Sequence, residues 1–450
     1  QASDDFLKFL ENDSMRGRAE YRRALFGMRK MQEAYSHFVP KRLLELLGVE
    51  DIADAAPGNE TELSLAVLFC DIRDFTSLSE TMSSRETFGF LNSYLAKIEP
   101  AIHRHDGTID KFIGDGVMAL FPKSSDNAVD AAIAMIKAMR QFNESRAKDG
   151  LAPIEVGIGI NSGLTTLGVI GHSERMETTV IGDSVNVASR VEGLTKSYKT
   201  SILISEDTLL AISDVNKYCI RYVDRVRVKG RVRPISVYEV FDADPPELAD
   251  AKLAGLEVFE KAVAYYHLRE VAKAQLLLKS YAEAIPGDII ASIYLQRCRK
   301  FMEEDVYEGI GELQESLEWV EAFNSGNTRI DEEHGTLMVN INKLSCALLA
   351  NDTRGISDVL AFLEDYSIAH FSMEEGLMQK HHYPFMAAHL FEHEKFIKRL
   401  NNLKEEFEAA SQDRLYSLFR VNLFLFDWLI SHSTRVDKHL AKFVAEKEAA

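Results

Sequence analysis

The sequence predicts an α/β domain built on a mixed β-sheet, then an α-helical connector, then an up-down four-helix bundle. Three observations predict it. Short apolar runs of strand length alternate with amphipathic helical patterns between Leu63 and Phe241. The dipeptide Pro245-Pro246 breaks that alternation. Beyond it nearly every periodic segment has helical spacing, and four long ones fall between residues 316 and 446.

Composition sets the outer bounds. A chain of 450 residues is long enough for two or three domains, each with its own core. With 46% hydrophobic and 27% charged residues it has the balance of a soluble globular protein. The formal net charge of −18 argues against nucleic acid or an anionic membrane surface as the main partner. An anionic substrate stays admissible, because a bound divalent cation inverts the local field. No apolar run is long enough to span a membrane, and no signal-peptide pattern opens the chain, so a cytoplasmic location is expected. Cys70, Cys219, Cys298 and Cys346 are widely spaced with no CxxC, as in a protein whose thiols stay reduced. The chain starts at Gln1 rather than Met. A processed chain is one reading; a fragment lacking an upstream sensor segment is another.

Residues 1–58 read as an N-terminal helical segment and a linker. Leu7, Leu10, Leu25, Met28 and Met31 sit among charges at loosely helical spacing, and Phe38-Val39-Pro40 leads into the apolar run Leu43 to Leu47. Such a helix could pair with its twin in a dimer or cap the next domain. Pro57-Gly58 marks the linker. In the α/β region, residues 59–244, Leu65 to Cys70 reads as a buried strand and Ser83 to His103 as an amphipathic helix. Thr108 to Phe121 reads as two strands around Gly114-Asp115-Gly116. A helix over Ala128 to Asn143, a strand over Glu155 to Asn161 and a helix over Ser184 to Tyr198 follow. Strands over Ser201 to Ser205, Tyr218 to Val228 and Ser236 to Phe241 complete the sheet. In the connector, residues 245–315, Ala262, Tyr265, Ala274 and Pro286 occupy positions that resemble one tetratricopeptide unit. A single unit cannot bury both faces and must pack on a neighbour. Residues 316–450 carry the helical patterns 331–350, 353–379, 384–409 and 413–446, four amphipathic helices with short connections.

Two groups of residues carry chemistry. In the α/β region Asp71 ends the first strand, and Asp115 sits in the turn that follows Lys111-Phe112-Ile113-Gly114. Two carboxylates at strand ends can approach each other and bind two hard cations beside a triphosphate. A helix starting near Phe75 and Thr76 offers free backbone N–H groups to phosphate. Asn186 and Arg190 lie four apart on one helix, so a neutral donor and a fixed cation share a face.

The strings FCDIRDFT, DKFIGDGVMALF and TTVIGDSVNVASR, in that order, closely resemble the class III nucleotide cyclases over about residues 35–241. The resemblance implies a ferredoxin-like βαββαβ core and an adenylate cyclase that turns ATP into 3′,5′-cyclic AMP and pyrophosphate. It implies that Asp71 and Asp115 hold two Mg²⁺ or Mn²⁺ ions, with the Ile72 carbonyl as auxiliary ligand. Lys111 matches the residue that reads the adenine edge. Thr179 falls where many relatives carry Asp and a subgroup carries Thr or Ser, and would be the second base-reading residue. Asn186 and Arg190 match the pair that positions the ribose and stabilises the transition state. Arg175 and Lys229 would contact phosphates. In this family each site is shared across a dimer, metals on one chain and base-reading residues with the arginine on the other. A homodimer is therefore expected. A lysine at position 111 donates to the acceptor N1 of adenine, whereas guanine presents a donor there and calls for a carboxylate.

In the bundle, eight of the thirteen histidines lie at or after position 334. His370 and Glu374 are four apart on a helix, as are His389 and His393, so each pair can present two ligands inward. His432 and Asp437 are five apart, about 140° around an ideal helix, and need long reach or local unwinding to converge. With His334 these make five imidazoles and two carboxylates, a set suited to a dinuclear iron site. His381, His382 and His439 are spare, so histidine alone proves little here. The strings RIDEEH, HFSMEE, YPFMAAHLFEH and HSTRVD, with Trp319 and Tyr383-Pro384, resemble hemerythrins, particularly bacterial ones, over roughly residues 316–446. The resemblance implies that His389, His393 and His432 hold one iron and His334 and His370 the other. Glu374 and Asp437 would bridge them, and O₂ would bind at the open position of the second iron.

Joined in one chain, the two parts read as an adenylate cyclase regulated by O₂ or iron oxidation state. The alternatives are a cyclase whose iron bundle only stores O₂ or scaffolds the dimer, and a guanylate cyclase.

Overall fold

The computed structural model describes residue 26 and residues 41–49, 54–172, 175–227, 234–308, 318–350, 352–409, 419 and 421–448. The expected N-terminal pairing helix lies largely outside them; within them, helix α1 (Lys41–Leu46) carries the Leu43 run.

The sheet begins with strand β1 (Glu60–Ile72), longer than the apolar run alone predicts. Helices α2 (Phe75–Glu80) and α3 (Ser84–Arg104) follow. Ser83 starts α3 through a capping box, its hydroxyl taking the Glu86 N–H while the Glu86 carboxylate takes the Ser83 N–H. Next come β2 (Thr108–Ile113), β3 (Gly116–Phe121), α4 (Ser125–Lys148), β4 (Val156–His172) and β5 (Arg175–Ile181). Helix α5 (Asp183–Tyr198), β6 (Ile202–Ser205), α6 (Glu206–Ala211), β7 (Ile220–Arg227) and β8 (Pro234–Val240) complete the domain. The strand order is β2-β3-β1-β4-β6-β8-β7, with β5 paired to β4. The sheet is mixed: β4 runs parallel to β6 and antiparallel to β1 and β5.

Strand alternation explains the two cores. On β1, Ala66, Leu68, Cys70 and Ile72 join the cluster under α3 and α4, while Leu65 and Val67 face the other way with Leu43. On β3, Val117, Ala119 and Phe121 split from Met118 and Leu120 in the same manner. Helix α5 rests directly on β4, because a Cβ at Gly159 would stand 2.0 Å from the Glu192 nitrogen and one at Gly157 2.1 Å from Thr195 Oγ1. These two glycines set the height of the helix that carries Asn186 and Arg190.

Helices α7 (Pro246–Ala254), α8 (Leu256–His267), α9 (Val271–Ala284) and α10 (Ile289–Glu304) pack on one another, with α8 against β7 and α10 against α5. Ala262 and Ala274 are fully buried. Arg221 on β7 is buried and pairs with Glu239 at 2.6 Å and with Asp288 at the start of α10. Arg297 reaches Asp224 at 2.6 Å, and Asp224 also accepts from the Tyr198 hydroxyl at the end of α5. The tetratricopeptide-like segment thus finds its neighbour in the sheet.

The bundle consists of α11 (Thr328–Ala350), α12 (Thr353–His381), α13 (Met386–Ala409) and a C-terminal rod. The rod alternates π-helix and α-helix: π over Asn422–Phe426, α14 (Asp427–Ser431), π over His432–Val436, then α15 (Asp437–Glu448). Among the described residues no helix is long and apolar enough to cross a membrane.

Candidate active site and metal centre

Asp71 stands at the end of β1, paired in register with Gly157 of β4, and Asp115 sits in the β2–β3 turn behind Gly114 at φ 66°. The turn folds Asp115 back so that its Oδ2 accepts the Ile72 N–H at 3.2 Å. Burial, then a hydrogen bond and charge repulsion from Asp115, push the Asp71 carboxyl up to about 6. Two carboxylates brought this close without a cation between them are a donor set that a hard divalent cation satisfies. Phe75 opens α2 and stacks on Phe90 with centroids 6.3 Å apart, while Thr76 is exposed beside it. Asp74 precedes that helix in a left-handed conformation, without a side-chain cap, and its carboxylate pairs with Lys196 at 2.8 Å.

Lys111 and Thr179, 68 residues apart in the chain, meet: Lys111 Nζ donates to Thr179 Oγ1 at 2.9 Å. Thr179 is buried on β5. Two acidic groups that sequence reasoning missed complete this corner. Glu177 Oε1 lies 2.7 Å from Lys111 Nζ, and Asp110 Oδ2 lies 3.5 Å from it. Adjacent strand residues ordinarily face opposite sides, but the pairing of β2 with β3 slips between Ile109 and Lys111, and that irregularity brings Asp110 to the Lys111 side. No spacing rule signals such a slip. Asn186 is exposed and Arg190 half-buried, one turn apart on α5. The backbone of Arg175 begins β5, opposite His172. Lys229 lies outside the described residues.

The seven expected ligands of the bundle converge. His334 Nε2 lies 2.8 Å from Asp437 Oδ2. His389 Nε2 and His432 Nε2 each lie 3.1 Å from Asp437 Oδ1. Glu374 Oε2 is 3.0 Å from His393 Nε2 and 3.3 Å from His389 Nε2, and Glu374 Oε1 is 3.3 Å from His370 Nε2. Two overlapping groups result, Glu374 with His389, His393 and His432, and Glu374 with His334, His370 and Asp437. All seven are buried. Both Asp437 oxygens, Glu374 Oε1, His370 Nε2 and His432 Nε2 have no proper hydrogen-bond partner among the described residues. A core this polar, left unpaired, would be costly, so the donor set fits a bound metal pair.

Supporting contacts orient these side chains. Glu333, adjacent to His334, reaches across to His370 Nδ1 at 2.7 Å and fixes its tautomer. Phe371 stacks on His393 at 3.9 Å between centroids, and Trp428 on His432 at 4.3 Å. Of the spare histidines, His439 serves the Tyr383 hydroxyl at 2.7 Å.

Residues 59–241 match the family described as the adenylate and guanylate cyclase catalytic domain. Residues 325–444 match the hemerythrin HHE cation binding domain. An adenylate cyclase of Anabaena cylindrica is 43% identical over 219 residues, covering 47% of this chain and 44% of that protein. The terminal-differentiation-specific adenylate cyclase of Dictyostelium discoideum is 36% identical over 281 residues, 61% of this chain and 13% of that protein. This chain thus spans less than half the length of these relatives. The crystal structure of the adenylyl cyclase CyaB from P. aeruginosa is 36% identical, covering 41% of this chain and 96% of that one, with a TM-score of 0.37.

Proposed function

We infer, for a chain that carries a class III cyclase catalytic domain and a hemerythrin domain, that it is an adenylate cyclase whose rate follows the oxygen or redox state of a di-iron centre. The observation that carries the catalytic half is the Asp71–Asp115 pair, two hard oxygen donors meeting where a buried strand ends. Bound there, Mg²⁺ or Mn²⁺ would acidify the ribose 3′-hydroxyl and offset the charge of the triphosphate. The chain's own residues do the rest. Lys111 donates to N1 of adenine and Thr179 Oγ1 faces the exocyclic amino group. Asn186 orients the ribose. Arg190 sets a fixed positive charge against the α-phosphate as negative charge builds in line. The 3′-oxygen forms its bond to the α-phosphorus, the bond to the β-phosphate bridge breaks, and pyrophosphate leaves while the hydroxyl proton passes to solvent. Backbone N–H groups at Phe75 and Thr76, with Arg175 and Lys229, hold the phosphates.

A homodimer is part of this reading. Phe112, Ile113, Met176 and Ile181 flank Lys111, Asp115 and Thr179 and are 53%, 54%, 46% and 59% exposed. Apolar side chains interleaved with site residues call for a cover, and a second copy supplies it. Each site then takes its carboxylates from one chain and its base-reading residues from the other.

In the bundle, iron bound between the histidines and Glu374 and Asp437 would supply O₂ and redox chemistry. Its ligands are dry and held by Glu333, Phe371 and Trp428. The test is a cyclase assay on the full chain with ATP and GTP, with optical spectra recorded under controlled oxygen. Cyclic AMP formed from ATP at rates that differ between iron states is the expected result. Equal rates in deoxy, oxy and met forms would end the regulatory half; absence of cyclic AMP would end the catalytic half.

A further inference from the structure

We propose that the short helix α6 is the coupling element between the two halves. It links α13, which carries His389 and His393, to the start of α5, which carries Asn186 and Arg190. This rests on the function proposed above and names the route by which that regulation reaches the site.

On the bundle side α13 grips α6 at both ends. Lys395 Nζ lies 2.9 Å from Asp207 Oδ1 and Arg399 Nη2 3.3 Å from Glu206 Oε1, in the acidic first turn of α6. Lys398 Nζ donates to the Ile212 carbonyl at 2.7 Å, just past the helix end. The Lys395 and Arg399 side chains are each only 6% exposed, while their partners Asp207 and Glu206 are 36% and 16% exposed, so the cations are held inside the contact and the pairs are partly shielded from solvent. Lys395 follows His393 by two residues, so any displacement of that iron ligand along or about α13 is carried into the grip.

On the cyclase side α6 is tied to α5 by buried hydrogen bonds. Ser205 Oγ caps α6 by accepting the Thr208 N–H at 3.2 Å, and it donates to Asn161 Oδ1 at 2.7 Å. The Asn161 amide donates in turn to Ser184 Oγ at 2.8 Å and to the Ser184 carbonyl at 3.0 Å. Ser184 lies in the first turn of α5, two residues before Asn186. Asn161, Ser184, Ser205 and Thr208 are all buried. A move of α6 that broke these bonds would strand buried polar groups at about 1–3 kcal/mol each, so α6 and the start of α5 move together. Small shifts at an effector site become functional steps when packed elements move as units in this way.

Linkage supplies a readout other than turnover. If α6 couples the sites, a nucleotide at the cyclase site must change the oxygen affinity of the iron by the factor with which oxygen changes nucleotide affinity. The experiment uses the full iron-loaded chain and follows half-saturation with O₂ by visible absorption, with and without Mn²⁺ and a non-cyclisable ATP analogue. The wild-type chain is expected to shift by about five-fold or more. Ser205→Ala, Lys398→Ala and the double variant Lys395→Ala/Arg399→Ala should each cut the shift below two-fold (roughly, as for uncoupled sites). Their iron content and nucleotide-free spectrum should match wild type. If the double variant fails to fold, Lys398→Ala and Ser205→Ala carry the test. A wild-type chain that makes cyclic AMP yet shows no shift overturns the relay. So do variants that keep the full shift, which would route coupling instead through Phe419, stacked on His267 of the connector at 5.8 Å. A chain that makes no cyclic AMP in any iron state fails the function itself, a distinct outcome.

Discussion

His432 Nε2 lies 3.1 Å from Asp437 Oδ1, although they are five positions apart on one helical rod. An ideal α-helix would turn them about 140° apart. The π turn over His432–Val436 removes that mismatch, because its wider i→i+5 winding returns the sixth residue to nearly the same face. The rod accepts the poorer packing of a π turn and in exchange brings two candidate ligands to one point where α-helical winding brings one.

Asp437→Asn keeps the shape of that side chain and removes its charge. With His334, His389 and His432 all within 3.1 Å of its oxygens, the variant should lose iron affinity by more than the roughly 10–100-fold typical of an outer-shell change. Metal analysis and the visible spectrum check this. Mn²⁺-supported cyclic AMP formation should persist, because the cyclase carboxylates are untouched.

The parts of the sites that were legible in sequence are those set by local period. The pairs His370/Glu374 and His389/His393 follow from helical spacing, and Asp71 and Asp115 from a strand end and a glycine turn. The π turn was legible only as an angular deficit. The Lys111–Thr179 contact came from the family resemblance, since no periodicity links residues 68 apart. Strand β5 escaped because it pairs only with β4 and leaves Met176 and Ile181 exposed, so it lacks the alternation of a half-buried strand. Helix α6 escaped because six residues are too few for a helical period to register.

Asp71→Asn should lower cyclic AMP formation at least roughly 100-fold, the loss that several kcal/mol of metal-borne charge stabilisation implies. Iron content and the bundle spectrum should be unaffected. Near-normal turnover would remove the carboxylate pair from the mechanism.

Lys111→Glu tests base reading. The ammonium donates to Thr179 at 2.9 Å and sits 2.7 Å from Glu177. Replacing it with a carboxylate should cut kcat/KM for ATP by about 10–150-fold, the range for a lost charged hydrogen bond. GTP should gain relative to ATP, though by less than ATP loses, because the new carboxylate is crowded by Glu177 and Asp110. An unchanged ATP-to-GTP ratio would count against the assignment.

Gly159→Ala tests the seating of α5. The added Cβ would stand 2.0 Å from the Glu192 nitrogen and 2.7 Å from the Val191 carbonyl carbon, both backbone atoms within two residues of Arg190. The helix must lift, at a cost of about 1–3 kcal/mol, and kcat should fall more than KM rises. Gly193, on the same helix, has nothing within 4 Å of an added Cβ. Gly193→Ala should therefore leave turnover intact and raise stability by about 0.5–1 kcal/mol. Thermal unfolding with steady-state kinetics on both variants separates seating from helix propensity.

Asp110 gives a pH signature with a definite sign. Its side chain is fully buried, its oxygens find no proper hydrogen-bond partner among the described residues, and Lys111 Nζ stands 3.5 Å away. Burial pushes its carboxyl up to about 6 from an ordinary 3.8, against the opposing pull of Lys111. A folded-state value above the unfolded one means the fold binds that proton more tightly. The ionised carboxylate therefore costs stability above pH 6, up to roughly 3 kcal/mol. The cost fades as pH falls towards 4. Asp110→Asn removes the titration, so wild type should gain on the variant between pH 7.5 and pH 5 in thermal unfolding of the metal-free cyclase domain. The absolute offset between the two proteins carries the separate cost of a buried amide and is not diagnostic. A difference that stays constant across that pH range would mean Asp110 is solvated or paired in solution rather than buried beside Lys111.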